Sequence, residues 1–389
     1  MIKFFNNKGL LIKVFNYKKF KPYLVLSFLV LLSTVLLWTP FLLRVNNWFS
    51  LKIADSSFQY IYKNYDGPLY IIVAKTFYDP LLIDKLYIEL KTSPYYFAAH
   101  LPLYPLTIKV FAFFLGFLKA MIFSNLFFTF FLSFFFFFLI RRGNLSPKPL
   151  FLTIIFLFLP RFLIIRSIGA PESLFILLIL LSLYSFEKKR YLLAGIFGGL
   201  ATITKTPGIL LFPTYFLTLT EGFIRLKKIK WQAIGIFLIP LSLLGLFFLY
   251  LKQYNNFFAY FNKESLVPLA FPFSVFNFQK KWVETSWLEE IIFYFFIFLL
   301  TTIRLRNFRY RSFFYFSLVF FTALIFVQHR DISRYGLPLW PMTCLAFHNF
   351  FTSKEFSLAF IILLPAIYLY AWNYLVFNVL PISNWQSFL

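Results

Sequence analysis

Phe123–Ile140 reads FSNLFFTFFLSFFFFFLI and runs directly into Arg141-Arg142. A helix of that length rises about 27 Å without a charged residue, close to the roughly 30 Å hydrocarbon core of a bilayer. Working outward, Phe356–Val379 is a second block of the same kind, and shorter apolar blocks fill most of the chain between them. The 389 residues are 60% hydrophobic with a mean hydropathy of +0.76, against roughly 45–50% apolar in soluble domains. One soluble core cannot bury that surface. The fold class expected is an all-α polytopic membrane protein, a single transmembrane domain over residues 1–389. The 62 Phe and 24 Tyr suit lipid-facing and interfacial positions; no function attaches to their excess.

The 38 Lys and Arg outnumber the 14 Asp and Glu, a net charge of +24. The cations form short clusters between apolar blocks rather than one patch. That is the pattern of the positive-inside rule and of anionic lipid headgroups, so membrane lipids, not nucleic acid, are the expected partner of the charge. The lone cysteine, Cys344, sits in an apolar block, and His100, His329 and His348 are scattered. No disulfide and no Cys- or His-based metal site follows from them.

Charge sets the threading. Residues 1–22 are basic, with Lys13, Lys18, Lys19 and Lys21, which places the amino terminus in the cytoplasm ahead of an uncleaved first span, Tyr23–Leu43. Residues 44–120 form the first extracytoplasmic loop, and Asp55, Asp66, Asp79, Asp84 and Glu89 all lie in it. Leu103–Lys119 either crosses or lies at the outer interface as a re-entrant or amphipathic helix. The interfacial reading puts Arg141, Arg142 and Lys148 inside and keeps every later basic cluster there. The further spans are Phe123–Ile140, Pro149–Arg166, Ser173–Phe186, Tyr191–Thr204, Pro207–Thr220, Trp231–Tyr250, Trp287–Ile303, Phe313–Val327, Leu337–Phe351 and Phe356–Val379, about eleven in all. A second outer loop, 251–286, holds Trp282 and Glu284, with Trp287 opening the next span. Gly195 and Gly199 read as a close helix-packing pair. The Lys, Ile and Phe bias points to a bacterial plasma membrane.

Under this threading the unusual polar residues gather outside: Tyr65-Asp66-Gly67, His100-Leu101-Pro102-Leu103-Tyr104-Pro105, Arg161, Arg166, Pro171-Glu172-Ser173, Thr204-Lys205-Thr206, and His329-Arg330-Asp331-Ile332-Ser333-Arg334-Tyr335. Tyr-Asp-Gly-x-x-Tyr, then Leu-Pro-Leu-Tyr-Pro, then Pro-Glu-Ser-Leu-Phe resembles the PIG-V-like mannosyltransferases (GPI mannosyltransferase 2-like) of the GT-C superfamily of membrane glycosyltransferases. The resemblance covers most of 64–213 and part of 334–341. Tyr65 stands where the family often has Trp, Ala99-His100-Leu101 where it has Phe-Phe, and Lys205 where a short Ala-Gly-rich hairpin ends in Arg.

The resemblance implies that Asp66 is the catalytic carboxylate. Sugar transfer needs a base for the acceptor hydroxyl and stabilisation of a departing phosphate. One carboxylate serves a single displacement with inversion; a retaining route would want a second carboxylate about 5–5.5 Å away, for which Glu172 is the available residue. Nucleotide sugars are cytoplasmic, so an outward-facing transferase draws on a polyprenyl-phosphate sugar, expected to be mannose, for a lipid or glycan acceptor. Arg166, Lys205, Arg330 and Arg334 are the cations available to the phosphate, with snorkelling to lipid phosphates as their plain alternative. His100 could assist proton transfer or pack the loop; Glu172 could orient a sugar or start its helix. With no Asp-x-Asp, no metal requirement is expected, though Asp66 with Glu172 would make a thin divalent site. A lipid-linked saccharide flippase would instead place its ionisable groups near the midplane and show repeats. A scaffold would not account for the acidic outer loop.

Overall fold

The computed structural model describes residues 17–53, 57–86, 92–227, 231–262, 269–277, 279–281 and 288–389. Residues 1–16, Asp55, Glu89, Lys228, Lys230, Trp282, Glu284 and Trp287 lie outside them. The chain is a helical, multi-pass integral membrane protein. The first part holds α1 (Tyr17–Leu42), a two-residue-strand hairpin (Asn47–Trp48 with Leu51–Lys52), α2 (Gln59–Tyr62), α3 (Gly67–Thr76), α4 (Pro80–Leu86), α5 (Leu103–Leu115) and α6 (Phe117–Gly143). The middle runs through α7 (Pro149–Leu157), α8 (Pro160–Ile165), α9 (Glu172–Glu187), α10 (Tyr191–Thr202), α11 (Leu211–Leu226) and α12 (Leu238–Tyr254). The last part holds α13 (Glu289–Leu305), α14 (Arg311–Leu324), α15 (Ile332–Tyr335), α16 (Trp340–Ala346), α17 (His348–Phe351) and α18 (Lys354–Phe377).

Among the described residues five helical stretches are long and apolar enough to cross a membrane: Phe20–Leu42, Phe117–Gly143, Thr206–Leu226, Trp231–Tyr254 and Lys354–Phe377. Prolines divide two of the expected spans. Pro149–Arg166 divides into α7 and α8, because Pro160 has no N–H to continue the ladder and holds Leu159 extended at φ −53°, ψ 129°. Leu337–Phe351 divides into a 3₁₀ turn, α16 and α17, with Pro338 and Pro341 each opening a new segment. α6 stops where Asn144 adopts a left-handed conformation, and Arg141 and Arg142 complement the negative end of its dipole.

The expected interfacial block Leu103–Lys119 is α5 plus the first turn of α6, separated at Gly116, whose φ is +73°. At 13 residues α5 is about 20 Å long, short of the roughly 30 Å core. A hairpin folded back about Gly116 would set Tyr104 beside Phe128. Instead Tyr104 Oη donates to the Met121 carbonyl at 2.7 Å, and Phe111 packs on Phe123 and Phe127. α5 thus packs on the first half of α6 and leaves Phe113 and Phe114 exposed. Gly195 and Gly199 admit the backbone of 235 and 238, as close packing requires.

The bundle has two chemically different ends. At one, Lys148 Nζ donates to the Thr352 carbonyl, Glu187 Oε1 accepts from both Ser312 N and Oγ, Arg304 Nε donates to the Ala346 carbonyl, and Arg311 pairs with Glu221. Arg142, Lys188, Lys189, Arg190, Arg306 and Arg309 lie in the same short connections. At the other, Trp38 Nε1 at the end of α1 donates to the Ser167 carbonyl, and Asn64 Nδ2 donates to the Leu375 carbonyl of α18. The starts of α3 and α9 and the end of α10 complete that end.

Candidate active site

Asp66 sits at the N-cap of α3 but does not cap it; its side chain makes no bond to the helix's own N–H groups. Two contacts fix the turn that carries it. Tyr65 N donates to the Asn378 carbonyl and Leu380 N to the Lys63 carbonyl, so the exit of α18 clamps residues 63–65. Tyr65 itself adopts φ +50°, a conformation costly for an aromatic residue and kept only where the surroundings enforce it. Gly67 and Gly169 then pack closely around the Met121 side chain. A Cβ on Gly67 would lie 3.1 Å from the Gly169 carbonyl, and one on Gly169 would lie 2.5 Å from Met121 Sδ.

That close approach brings the start of α9 beside Asp66. The 165–168 turn is held by Asn125 Nδ2, which donates to the Ile165 and Ile168 carbonyls, and Thr129 bonds Ser173 at 2.8 Å. Glu172, the first residue of α9, is 2% exposed and accepts two cations on one oxygen. Lys205 Nζ donates to its Oε1 at 2.8 Å and Arg334 Nε to the same atom at 2.7 Å. Arg334 Nη1 reaches Asp66 Oδ2 at 3.7 Å, and its guanidinium lies 4.3 Å above the Tyr65 ring. Asp66 remains 36% exposed by side chain, so it is the carboxylate that a ligand can reach. Lys205 lies 5.9 Å from the Tyr335 ring, and Thr206 bonds the Tyr260 hydroxyl at 2.7 Å, so two tyrosines flank this side of the cluster.

A second ion pair lies behind the first. Arg161 of α8 pairs with Asp331, which also receives the Tyr65 hydroxyl at 3.4 Å. The Tyr65 and Tyr374 hydroxyls bond each other, and Arg161 lies 4.2 Å over the Tyr374 ring. Tyr65 therefore stands between two guanidinium groups. In these pairs three carboxylates (Asp66, Glu172, Asp331) face three cations, Arg161 and Arg334 buried and Lys205 half-buried, so the paired charges balance.

Electrostatics follow from these neighbours. Burial works against the charge on Arg334, but Glu172 and then Asp66 outweigh it and hold its pKa well above the usual value. Burial lowers Lys205, with Glu172 opposing. Burial, then Arg330 and Arg334, pull His329 down to about 4. Its neutral Nδ1 accepts the Asp331 N–H at 3.0 Å, a bond that protonation at Nδ1 would break.

No protein-family model, curated protein or solved structure matches this chain. Its chemistry is read from its own residues.

Of the residues expected at the site, Asp66, Glu172, Lys205 and Arg334 meet in one cluster. His100 lies at its edge, 4% exposed, its ring edge-on to Tyr70 at 5.0 Å and its Nδ1 without a hydrogen-bond partner among the described residues. Burial lowers its pKa, against the pull of Asp66. Arg330 is exposed beside His329. Arg166 is elsewhere: it is 1% exposed and donates to the Leu157 carbonyl, Thr34 Oγ1 and Ser33 Oγ, tying the end of α8 to α1. Three of its five N–H groups are spent on these partners, two of them hydroxyls over 130 residues away, and its burial keeps it from a phosphate at the Asp66 cluster. Arg161 and Asp331 both stand among the unusual polar residues of the sequence, but nothing there assigns either a role or pairs them, and nothing marks Tyr374 in its apolar span. Among the described residues no three His, Cys, Asp or Glu side chains group as a metal site, and Arg334 already occupies the space between Asp66 and Glu172.

Proposed function

We propose that this protein is a glycosyltransferase of the GT-C type, moving a hexose, mannose by resemblance, from a polyprenyl-phosphate donor to a lipid or glycan acceptor. The observation that carries the reading is the meeting of one reachable carboxylate with buried cations, at the end of the bundle opposite the basic connections. By the positive-inside rule those connections are cytoplasmic, and the amino terminus with them. The Asp66 end is then extracytoplasmic, the shorter helices completing the about eleven crossings and α5 lying at the outer interface.

On this reading the acceptor hydroxyl gives its proton to Asp66 while its oxygen forms the new bond to the anomeric carbon. The bond from that carbon to the phosphate oxygen breaks, and its electron pair leaves with the phosphate. Arg334 and Lys205 receive the charge that develops there, where a low-dielectric setting strengthens each contact. One displacement inverts the anomeric centre. Tyr335 and Tyr260 offer faces for the sugar rings beside Lys205.

The test is purified protein with a labelled polyprenyl-phosphate hexose and mixed acceptors. Release of polyprenyl phosphate with label in the acceptor supports the reading. Saccharide movement across vesicles without transfer would favour a flippase instead. A reporter fused after Arg142 should read cytoplasmic; an external reading would move Lys205 and Glu172 to the wrong face.

A further inference from the structure

Arg334 is committed on one edge and contested on the other. Its Nε is donated to Glu172 at 2.7 Å, and the Tyr65 ring at 4.3 Å fixes the plane of the guanidinium. The Nη edge is directed to Asp66 at 3.7 Å, beyond hydrogen-bonding distance. Lys205 spends one N–H on the same Glu172 oxygen. Asp66, Glu172 and Asp331 already balance Arg334, Lys205 and Arg161. Among the described residues, a phosphate anion entering beside the exposed face of Asp66 therefore finds no surplus buried cation there. The loosest of the existing pairs is Arg334 with Asp66, and guanidinium forks suit phosphate oxygens.

We infer that Arg334 is a shared cation, held by Asp66 at rest and taken over by the donor's phosphate, so that donor binding is what frees Asp66 to accept the acceptor's proton. This rests on the glycosyltransferase reading and adds an order to it: donor first, acceptor second. With the Nη edge on phosphate, Asp66 loses its counter-ion and gains a nearby negative charge, and both changes favour its taking up a proton. Before the donor arrives, the same carboxylate is occupied with Arg334.

The experiment measures binding of a polyprenyl monophosphate to the full chain in detergent, for wild type, Asp66→Asn, Arg334→Gln and the double variant. The inference expects Asp66→Asn to bind roughly two- to fivefold more tightly, the scale of releasing one solvent-screened ion pair. That gain should vanish when Arg334 is Gln, because the competition runs through the guanidinium. Arg334→Lys keeps a charge opposite Glu172 but removes the fork, and completes the same cycle if the Gln variant does not elute as a folded species. An equal gain in both backgrounds would mean direct repulsion between Asp66 and phosphate, and would overturn the shared cation. No gain would overturn it as well, while leaving the donor reading intact if wild type binds and Arg334 variants bind weakly. No binding to wild type, unchanged by either Arg334 variant, would overturn the donor reading and the order with it.

Discussion

Replacing Glu172 with Gln removes the one charge that two buried cations share. Glu172 is 2% exposed by side chain and its partners Lys205 and Arg334 are 19% and 9% exposed. Breaking a buried pair by deleting one partner costs about 3–5 kcal/mol, because the remaining charge stays desolvated. Gln keeps the volume and an acceptor oxygen, Lys205 can turn partly to solvent, and Arg334 retains Asp66 at 3.7 Å. The loss should therefore fall at the low end, about 3 kcal/mol. Asp66→Asn is the control: at 36% exposure and 3.7 Å its pair is screened, and such pairs are worth about 0–1 kcal/mol. Both variants can be compared by unfolding in mixed micelles and by the fraction still monodisperse after heating. The triple change Glu172→Leu, Lys205→Met, Arg334→Met should recover most of the lost stability while abolishing turnover, since apolar replacements of buried ion clusters are often neutral or stabilising. Wild-type stability in Glu172→Gln, or equal losses in Glu172→Gln and Asp66→Asn, would refute the buried, shared carboxylate.

Gly169→Ala should destabilise by about 1–3 kcal/mol through overpacking, as its Cβ would lie 2.5 Å from Met121 Sδ; adding Met121→Ala should restore much of it in the same unfolding assay. Arg166→Gln should lower stability, because Ser33, Thr34 and the Leu157 carbonyl lose a buried partner, yet leave the affinity for polyprenyl phosphate unchanged. His329 has a folded pKa of about 4 against its ordinary 6.5. Between those values the unfolded chain binds a proton that the folded one does not, so its contribution to stability is full above 6.5 and is lost as pH falls through the window to 4. His329→Asn should flatten the wild-type decline between pH 6.5 and 4.

Hydrophobic block length made the membrane class legible, and the short polar runs at Asp66, Glu172, Lys205 and Arg334 marked residues that the fold gathers. Those runs are legible because a charge in an apolar chain is costly and therefore conspicuous. Helix continuity was less so. Pro160, Pro338 and Pro341 divide stretches whose hydropathy alone reads as single spans. Arg166 shows the limit of charge as a signal: its cost is met by Ser33 and Thr34 of α1, and spacing along the chain does not reveal that pairing. Tyr374 shows the converse, since a tyrosine in an apolar span is ordinary until the fold sets its hydroxyl against Tyr65. The Arg161–Asp331 pair joins α8 to the start of α15, two segments 170 residues apart.

The most direct test of the account compares wild type with Asp66→Asn for transfer of labelled hexose from a polyprenyl-phosphate donor, in protein shown to be folded. A positioned base contributes about 10²–10⁴-fold, so the account predicts turnover reduced at least a hundredfold with donor binding retained or tightened. Turnover by Asp66→Asn at the wild-type rate would contradict it.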